Sequence, residues 1–487
     1  MGTADGHPRP ASRRRGLRAA AAATVVLLLA AAVVASLDLS GRLPGGLVAD
    51  PTSASASPAT PLDPRPAGAP DVLVAEPTGP SGAAPTLPTD ALDRVLASTV
   101  LGPERGALVV DVASGATLLD VAGTVPRTPA SLAKLATGAA ALTVLDPVGR
   151  LRTRVVAGAA PGEVVLVGAG DTTLTSRRSL QRRDPVRASL AGLADATAAA
   201  LVADGTNSVT LRVDDSLFAG PAVSPDWRAG YVGSGVVSPV GALSVDAGRI
   251  RPASDVREPD PALAAGRDMA RMLARRGVTV SGDVARGVAP AGARELSSVS
   301  SGTVAELVEL MLTSSDNDLA ESLLRLVAVQ RGRPGTFADG TAAVTGVLTE
   351  LGVPTDGMVL LDGSGLARGS SVAPATLAGL LVLASDGSTP RLGHLVTGLP
   401  VAGFSGTLSQ RFAADRAGDA AGLVRAKTGT LTGVSTLAGV TSVAGRPVVF
   451  VVMADQVPGS TLVARSALDR FAATLAGAGQ LVAAGRG

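Results

Sequence analysis

The sequence predicts an α+β fold in which helices cover an antiparallel sheet. An amphipathic helix pattern at residues 89–96 is followed by a hairpin pattern at residues 107–121. Near the other end of the chain, three strand patterns within residues 424–454 are followed by a helix pattern at residues 461–476. Because strands from the two ends of a chain can pair side by side, we expect one sheet built from both ends and covered by helices.

Residues 1–39 are predicted to be a cytoplasmic basic tail with an export segment. Four arginines between residues 13 and 18 precede an uncharged apolar run at residues 19–37. Such arginines stay on the cytoplasmic side while the following chain crosses the membrane. The sequence leaves open whether the run is a cleaved signal peptide or a single membrane anchor. In both cases we expect the protein outside the cytoplasm, either secreted or anchored in the cell envelope.

The rest of the chain is predicted to contain a linker, a main domain and an insertion. Residues 40–88 are rich in Pro, Ala, Ser and Thr, which is typical of a disordered linker. Residues 89–148 and 295–480 contain the helices and hairpins described above and form the predicted main domain. Residues 149–294 form the predicted insertion, and strand-like pieces separated by Gly and Asp indicate a mostly β structure there.

Composition excludes several classes of function. The formal net charge is +2, from 43 basic and 41 acidic residues, and no basic stripe with interleaved aromatic residues is present, so nucleic acid is not expected as a partner. Cysteine is absent, which excludes disulfides and thiolate metal sites. The two histidines, His7 and His394, are too few for a multi-histidine metal centre, and a Ser-His-Asp triad would have to use His394. We expect no metal centre and no cofactor, although composition alone leaves carboxylate sites for magnesium or calcium open.

Ser131 and Lys134 form the first of three short motifs, in which an amine follows a hydroxyl by three residues. On a helix this spacing puts both side chains on one face, so Lys134 can take the proton that Ser131 must lose to become a nucleophile. A lysine does so when burial or a second cation lowers its pKa, and Lys427 is the candidate second cation. Thr128 and Pro129 are expected to start this helix, with Thr128 as its cap.

The other two motifs supply a hydroxyl, an amide and a second amine. Ser315 and Asn317 stand two residues apart before an amphipathic helix pattern, so both are expected to project from a loop. Lys427, Thr428 and Gly429 begin a strand pattern, in which the glycine is expected to let a substrate backbone approach the strand. Lys427 and Thr428 are then expected to meet a substrate carboxylate.

With these motifs in this order, the chain resembles the low-molecular-mass class C penicillin-binding proteins, the D-alanyl-D-alanine carboxypeptidase/endopeptidases. The resemblance covers most of residues 89–480 and includes the long separation of the first two motifs. Further family-like segments lie at residues 166–174, 237–245, 362–366 and 406–408. The resemblance implies a penicillin-binding-protein/β-lactamase-like transpeptidase domain with a large insertion between the first and second motifs.

The resemblance also implies a role for each motif residue. Ser131 would attack the carbonyl between two D-alanines, with Lys134 as general base, and form an acyl-enzyme. Ser315 would relay a proton to the leaving amine, Asn317 would orient Lys134 and the substrate amide, and Lys427 would balance the charge of the site. The substrates would be peptidoglycan stem peptides, and β-lactam antibiotics would acylate the same serine.

Substrate-binding residues follow from the same resemblance. Thr428 would bind the terminal carboxylate beside Gly429, and the backbone N–H groups of Ser131 and Thr430 would form an oxyanion hole. Water would then hydrolyse the ester. The sequence does not decide between carboxypeptidase activity alone and additional endopeptidase activity on cross-linked stems.

A second recognition element is predicted around the rarest side chains. The one tryptophan, Trp227, and the one tyrosine, Tyr231, lie four residues apart. Trp227 either plugs a small hydrophobic space under a loop or forms a wall of the substrate site. The resemblance implies that Asp226, Tyr231 and Arg368 recognise the free amino-acid end of the stem peptide, because an ammonium favours a carboxylate and a carboxylate favours a guanidinium.

Two alternatives remain at this stage. A β-lactamase shares the three motifs, but such an enzyme is normally one compact domain, so the insertion argues against it. A non-catalytic protein that binds peptidoglycan or senses penicillin could keep the fold, but the intact motif residues argue against that interpretation.

Overall fold

The computed structural model describes residues 84–177, 187–412 and 420–484. The strands in these ranges are β1 (Glu104–Asp111), β2 (Thr117–Val121), β3 (Arg150–Ala157), β4 (Glu163–Val167), β5 (Ser208–Asp214), β6 (Thr279–Val280), β7 (Ala285–Arg286), β8 (Glu295–Thr303), β9 (Arg425–Leu431), β10 (Val434–Val443) and β11 (Arg446–Asp455). The α-helices are α1 (Thr89–Leu96), α2 (Ala133–Val144), α3 (Leu190–Ala203), α4 (Pro261–Ala274), α5 (Val304–Ser314), α6 (Asn317–Gln330), α7 (Phe337–Glu350), α8 (Pro374–Ser385), α9 (Gly393–Thr397) and α10 (Thr461–Ala484). The predicted export segment and most of the predicted linker lie outside the described ranges.

An antiparallel sheet with strand order β2-β1-β11-β10-β9 forms the centre of the main domain. Its two end hairpins meet where β1 pairs with β11, with Leu108 opposite Val451. The strands lie where their sequence patterns predicted them, so the predicted α+β fold with one sheet built from both ends of the chain is confirmed. Strand β9 is at the edge of this sheet, and its outer side is open to a further extended chain beyond Ala426, because its first residues pair with residues 400–401.

The two faces of the sheet are covered by different helices. Along β1, the side chains alternate between the faces, because successive residues of a strand point in opposite directions. Val109 belongs to a core that includes residues of α1 and α10, such as Phe471. Leu108 belongs to a larger core formed with α2 and the helices around it. The main domain is thus a sheet between two helical layers.

Helix α2 is enclosed on all sides. Every residue from Ala133 to Leu142 is buried, including Lys134 and Thr137. Such an all-round apolar helix is stable only inside a core, since it has no polar face to offer to water. The position of Lys134 is therefore fixed by packing along the whole helix.

The region between the first two motifs contains a second sheet, with order β6-β5-β4-β3-β8, and β7 also pairs with β5. The prediction of a mostly β insertion is wrong, since α3 and α4 have 14 residues each and pack on this sheet. The pairing of β4 with β5 is parallel, which requires a crossover such as the one that contains α3. The alanine-rich sequence of α3 lacks a polar stripe, which explains why its helical period was not recognised.

The boundary of the second sheet also differs from the prediction. Strand β8 pairs with β3 and so belongs to the second sheet, although residues from 295 onward were predicted to belong to the main domain. It leads directly into α5, whose Thr303 and Glu306 form a capping box. The second sheet is thereby connected to the helix that precedes Ser315 without an intervening loop.

A buried ion pair joins the inserted region to α6. Arg257 NH2 lies 3.1 Å from Asp318 Oδ2, and the two side chains are only 2% and 8% exposed. The other carboxylate oxygen of Asp318 accepts the N–H of Ser238 at 2.6 Å. Arg257 also donates to the carbonyls of Gly235 and Ala247. Since Asp318 follows Asn317 directly, this contact fixes the start of the helix that carries the amide of the second motif.

We predict that Asp318→Asn lowers the free energy of unfolding by about 3–5 kcal/mol, because it leaves the buried Arg257 charge without a counter-charge. Urea unfolding followed by circular dichroism measures this change. The matched control is Glu350→Gln, which removes an exposed carboxylate 2.6 Å from Arg331. Solvent screens that exposed pair, so the control is expected to lose much less stability. Equal losses for the two variants would contradict the structural role of the buried pair.

Candidate active site

Ser131 lies in a short 3₁₀ turn, Ala130–Leu132, that leads into α2. Its side chain is half-buried and lies at the N-terminal end of the buried helix. The prediction that Thr128 caps this helix is wrong, because the turn starts after Pro129 and no side chain caps either element. Ala130 has a φ of +48°, a left-handed conformation that costs free energy for a residue with a Cβ. Close packing around Ala130 holds this conformation.

Two glycines make this packing possible. A Cβ on Gly365 would lie 1.8 Å from the carbonyl oxygen of Ala130. A Cβ on Gly429 would lie 2.1 Å from Thr436 Oγ1 and 2.9 Å from the carbonyl oxygen of Pro129. Gly429 therefore allows β9 to approach the turn that carries the serine. Gly429 is therefore required for packing inside the protein, whereas the prediction was that it lets a substrate backbone approach the strand.

Lys134 points at Ser131 and is held by two further acceptors. Its Nζ lies 3.1 Å from Ser131 Oγ, 2.7 Å from Asn317 Oδ1 and 2.8 Å from the carbonyl oxygen of Ser364. The predicted contact between the first and second motifs is thus present in the structure. Three acceptors match the three N–H bonds of an ammonium. When the amine is neutral, it has only two N–H bonds, and its lone pair can face the serine hydroxyl.

Burial sets the basicity of Lys134. Its side chain is fully buried, and this burial lowers the pKa of Lys134 to about 8. Nearby carboxylates oppose the effect, with Glu321 the strongest, because a negative charge favours the ammonium form. With this pKa, about one tenth of the amine is neutral at pH 7, and this fraction can act as a base.

Ser315 and Asn317 are placed by a tight link between two helices rather than by an open loop. Ser315 ends α5 in the left-handed conformation, with a φ of +58°. Asp316 caps α6 by accepting the N–H of Leu319, and Asn317 is the first residue of that helix. The amide of Asn317 accepts from Lys134 through its oxygen and donates to the carbonyl of Val236 through its nitrogen. Its orientation is fixed at both ends.

Lys427 joins the third motif to the second. Its Nζ lies 2.9 Å from Ser315 Oγ and 2.9 Å from the carbonyl oxygen of Thr428. Burial, followed by the positive charge of Lys134, lowers the pKa of Lys427. Lys427 lies within electrostatic range of Lys134, and its role as a second cation stays a prediction. The side chain of Thr428 lies on the opposite face of β9 from that of Lys427, and its hydroxyl is 2.9 Å from that of Thr407.

The open edge of β9 carries unused backbone donors. Ala426 donates its N–H outward, to the carbonyl of Pro400. Because N–H groups two residues apart on a strand point to the same side, the N–H groups of Thr428 and Thr430 also face this edge. The N–H of Ser131 makes no hydrogen bond within the described residues. These donors are available to a bound carbonyl oxygen.

The three residues predicted to read the far end of the substrate lie in two loops, with Asp226 and Tyr231 in the segment between β5 and α4 and Arg368 between α7 and α8. Asp226 is exposed, and Tyr231 is half-buried against the main core. Arg368 donates through one nitrogen to the carbonyl of Thr432 at 2.7 Å, while its other terminal nitrogen, NH1, is buried without a partner. Among the described residues, no hydrogen bond or ion pair connects these three side chains with one another.

Trp227 is a core residue rather than a substrate wall. It is buried and packs edge to face on Phe337, with ring centroids 5.4 Å apart. Its indole N–H donates to Asp362 Oδ2 at 2.8 Å. Of the two interpretations of this tryptophan, the structure supports the hydrophobic plug. The indole hydrogen bond also joins the inserted region to the turn that begins at Asp362.

Sequence reasoning missed three groups beside Lys134, namely the Ser364 carbonyl and the carboxylates of Glu321 and Asp362. Helix α6 carries one signal. Four of its polar residues recur at helical spacing in an otherwise apolar helix, and all four are buried: Asp318, Glu321, Ser322 and Arg325. A second signal was lysine usage. Lys134 and Lys427 are the only lysines in the chain, and both are fully buried in this site.

Known proteins with similar sequences cover most of the chain. A Mycobacterium tuberculosis protein named Carboxypeptidase Rv3627c is 37% identical over 396 residues, which is 80% of this chain and 83% of that protein. Carboxypeptidase DacB of Mycolicibacterium smegmatis is 36% identical over 408 residues, covering 81% of this chain and 86% of that protein. A D-alanyl-D-alanine carboxypeptidase of an Actinomadura species is 31% identical and covers 74% of this chain and 79% of that protein.

The fold is shared with a solved structure. Penicillin binding protein 4 (dacB) from Haemophilus influenzae superposes with a TM-score of 0.65 at 24% identity, covering 79% of this chain and 98% of that chain. The sequence pattern of the D-Ala-D-Ala carboxypeptidase 3 (S13) family matches residues 89–259 and 253–475. These matches include all three motifs and the region between them. The chain therefore belongs to the D-Ala-D-Ala carboxypeptidase 3 (S13) family.

Proposed function

We propose that the protein is a serine D-alanyl-D-alanine carboxypeptidase that acts on peptidoglycan stem peptides through an acyl-enzyme on Ser131. One observation carries this proposal: the buried Lys134 amine lies 3.1 Å from Ser131 Oγ at the open edge of β9. The arrangement provides a nucleophile, a base and a strand edge for an extended peptide. Family membership and the naming of the Actinomadura relative support the same substrate.

Acylation begins when Lys134 takes the proton of Ser131. The serine oxygen then bonds to the carbonyl carbon between the two D-alanines, and the carbonyl oxygen becomes an oxyanion. The N–H groups of Ser131 and Thr430 are suited to bind this oxyanion, and one such donor contributes about 3 kcal/mol to transition-state stabilisation. These donors are fixed before the substrate arrives, so they need no reorganisation during the reaction.

Release of the leaving group needs a proton donor on the opposite side of the bond. Ser315 can supply it, because its hydroxyl lies 2.9 Å from the Lys427 amine, which can replace the proton. The C–N bond then breaks and an amine leaves. When this amine is free D-alanine, the reaction is that of a carboxypeptidase. When it belongs to a cross-bridge, the same step is that of an endopeptidase.

Hydrolysis of the ester completes the cycle. The water attacks the acyl carbon and gives its proton, through Ser315, to the Lys427 amine that lost one, while the protonated Lys134 returns its proton to Ser131 as the ester bond breaks. A penicillin resembles D-alanyl-D-alanine, so its β-lactam carbonyl is expected to acylate Ser131 in the same way. Its leaving group stays attached after ring opening, which hinders the approach of water and makes the adduct long-lived.

The charge of the substrate fits the outer residues of the site. Thr428, beside Gly429 and with its hydroxyl 2.9 Å from that of Thr407, is the expected partner of the terminal carboxylate, and Lys427 contributes its charge from within the site. Further away, Asp226 and Arg368 offer opposite charges to the zwitterionic end of a diaminopimelate-type side chain. The unpartnered NH1 of Arg368 supports this role, because a buried N–H without a partner is a donor available to a carboxylate.

We also propose that the protein works outside the cytoplasm, attached through its N-terminal segment where that segment is not cleaved. The basic and apolar pattern of residues 1–39 supports export, and stem peptides are found in the cell envelope. None of the helices in the described ranges is long and apolar enough to cross a membrane.

Benzylpenicillin is predicted to add one molecule of its own mass to the protein, on Ser131. Intact-protein and peptide mass spectrometry measure the adduct. Ser131→Ala is expected to abolish it, because no other group is placed to attack. The control Ser388→Ala changes an exposed serine and is expected to leave the adduct intact. Absence of any adduct on the wild-type protein would favour the non-catalytic alternative, and an adduct that disappears within seconds would favour a β-lactamase.

The acylation rate is predicted to rise with pH through about 8 and then level off. Only neutral Lys134 can accept the serine proton, and its pKa is lowered to about 8. The chain has two lysines, so protein labelled with ¹³C at the lysine ε-carbon gives two resonances that report these pKa values directly. Lys134→Arg is expected to slow acylation by about 10²- to 10⁴-fold, because a guanidinium stays protonated. A wild-type rate that falls with rising pH over this range would contradict the role of Lys134.

Arg368→Ala is predicted to reduce kcat/KM by about 10- to 100-fold for D-Ala-D-Ala peptides with a diaminopimelate-type side chain, because a charge-assisted hydrogen bond is lost. Peptides without the zwitterionic end are expected to be cleaved at an unchanged rate. Arg391→Ala, at a solvent-exposed arginine, serves as the control. If Arg368→Ala affects both peptides equally, the arginine does not read that end of the substrate.

A further inference from the structure

The direction of the Lys134 lone pair decides whether this amine can act as a base. A neutral amine has two N–H bonds, and these need acceptors that leave the lone pair facing Ser131 Oγ. Asn317 Oδ1 and the carbonyl oxygen of Ser364 are those acceptors, at 2.7 and 2.8 Å from Nζ. The position of a single backbone carbonyl, that of Ser364, is therefore part of the geometry of the base.

Buried carboxylates hold the turn that carries this carbonyl. Glu321 Oε2 accepts the N–H of Gly363 and Oε1 accepts the N–H of Ser364, each at 2.9 Å. Asp362 accepts the N–H groups of Gly365 at 2.8 Å and Ala367 at 2.7 Å. The two carboxylates thus accept four backbone N–H groups within residues 363–367. Both carboxylate side chains are fully buried.

Glu321 uses both of its oxygens only as acceptors, which is the pattern of an ionised carboxylate. No arginine or lysine forms an ion pair with it among the described residues. Ionising a buried carboxylate that has no ion-pair partner costs free energy, and neutral hydrogen-bond acceptors could hold the same turn at a lower cost. The negative charge therefore points to a role beyond holding the turn.

The charged groups around Lys134 define that role. Glu321, Asp362, Asp316 and Asp318 act on it as negative charges, and the positive charge of Lys134 acts in turn on Lys427. Glu321 has the largest influence of the four carboxylates. Glu321 itself faces Asp362 on the turn and Arg325 on its own helix. Burial, and then Asp362, raises the pKa of Glu321 to about 8, so its negative charge develops over the same pH range in which Lys134 loses its proton.

We propose that Glu321 is a positioning residue for the base: its carboxylate fixes the Ser364 carbonyl that orients the Lys134 amine, and its charge sets how readily that amine binds a proton. This inference rests on the proposed function, since it concerns the acylation step on Ser131. Removing the charge of Glu321 alone lowers the pKa of Lys134. Moving the carboxylate alone displaces the Ser364 carbonyl that accepts from Lys134. The two effects can be separated by two variants.

Glu321→Gln keeps the size of the side chain but removes the charge and one acceptor. We expect the ε-¹³C resonance of Lys134 to titrate at a pH lower by about one unit, and the rise of the acylation rate with pH to move down equally. We also expect kcat to fall about tenfold with KM unchanged, since one turn N–H loses its acceptor. An unchanged pKa of Lys134 in the folded variant would overturn the electrostatic part of the proposal.

Glu321→Asp keeps the charge but withdraws the carboxylate by one methylene. We expect a reduced kcat with the pKa of Lys134 close to the wild-type value. If Glu321→Gln does not fold, this variant decides alone, and a wild-type kcat would overturn the proposal. The matched control is Asp214→Asn, which removes a buried carboxylate that accepts from Ser216 and Ala289 in the second sheet. The control is expected to lower stability and leave the pKa of Lys134 in place.

The outcomes distinguish this inference from the proposed function. If the wild-type protein forms no penicillin adduct on Ser131, the proposed function fails. If the wild-type protein and Glu321→Gln are acylated with the same pH dependence and the same rate, the proposed function stands and the role of Glu321 is refuted.

Discussion

The structure depends on keeping two lysine amines away from water in one site. Lys134 and Lys427 are fully buried, and their hydrogen-bond partners are neutral oxygens of serine, asparagine and the backbone. A charge in such a place is disfavoured, and two charges disfavour each other as well. Burial therefore turns an ordinary lysine into a base near neutral pH. The chemistry follows from this environment, because the serine itself is unreactive without a base.

Holding this environment requires several elements to converge on one short turn. Helix α2 carries Lys134 inside the core, while β9 and the turn at Gly365 press on Ala130 from two sides. Neither Gly429 nor Gly365 has room for a side chain at these contacts. The left-handed conformation of Ala130 is the local consequence. The strained turn presents Ser131 at the edge of the sheet, where a peptide can add as a further strand.

The inserted region takes part in this arrangement instead of extending away from it. Arg257 reaches Asp318 next to the catalytic amide, and Trp227 donates to Asp362 beneath the turn that contacts Lys134. Both contacts are buried, so the loss of one partner leaves the other without a partner in a water-free environment and is strongly destabilising. The long separation of the first two motifs thus supplies structural support to the base.

The sequence was sufficient to predict the three motifs, the strands of the central sheet and the pairing of Ser131 with Lys134, because each depends on local spacing along one element. It was not sufficient for the two helices of the insertion, whose alanine-rich or short patterns give a weak period, nor for the burial of Trp227. The contact of Ser364 with the base and the contacts of Glu321 with the turn at Ser364 are visible only in the folded chain. A backbone carbonyl has no signature in the sequence, and a carboxylate in a helix shows its partner only when two segments far apart in the chain are packed together.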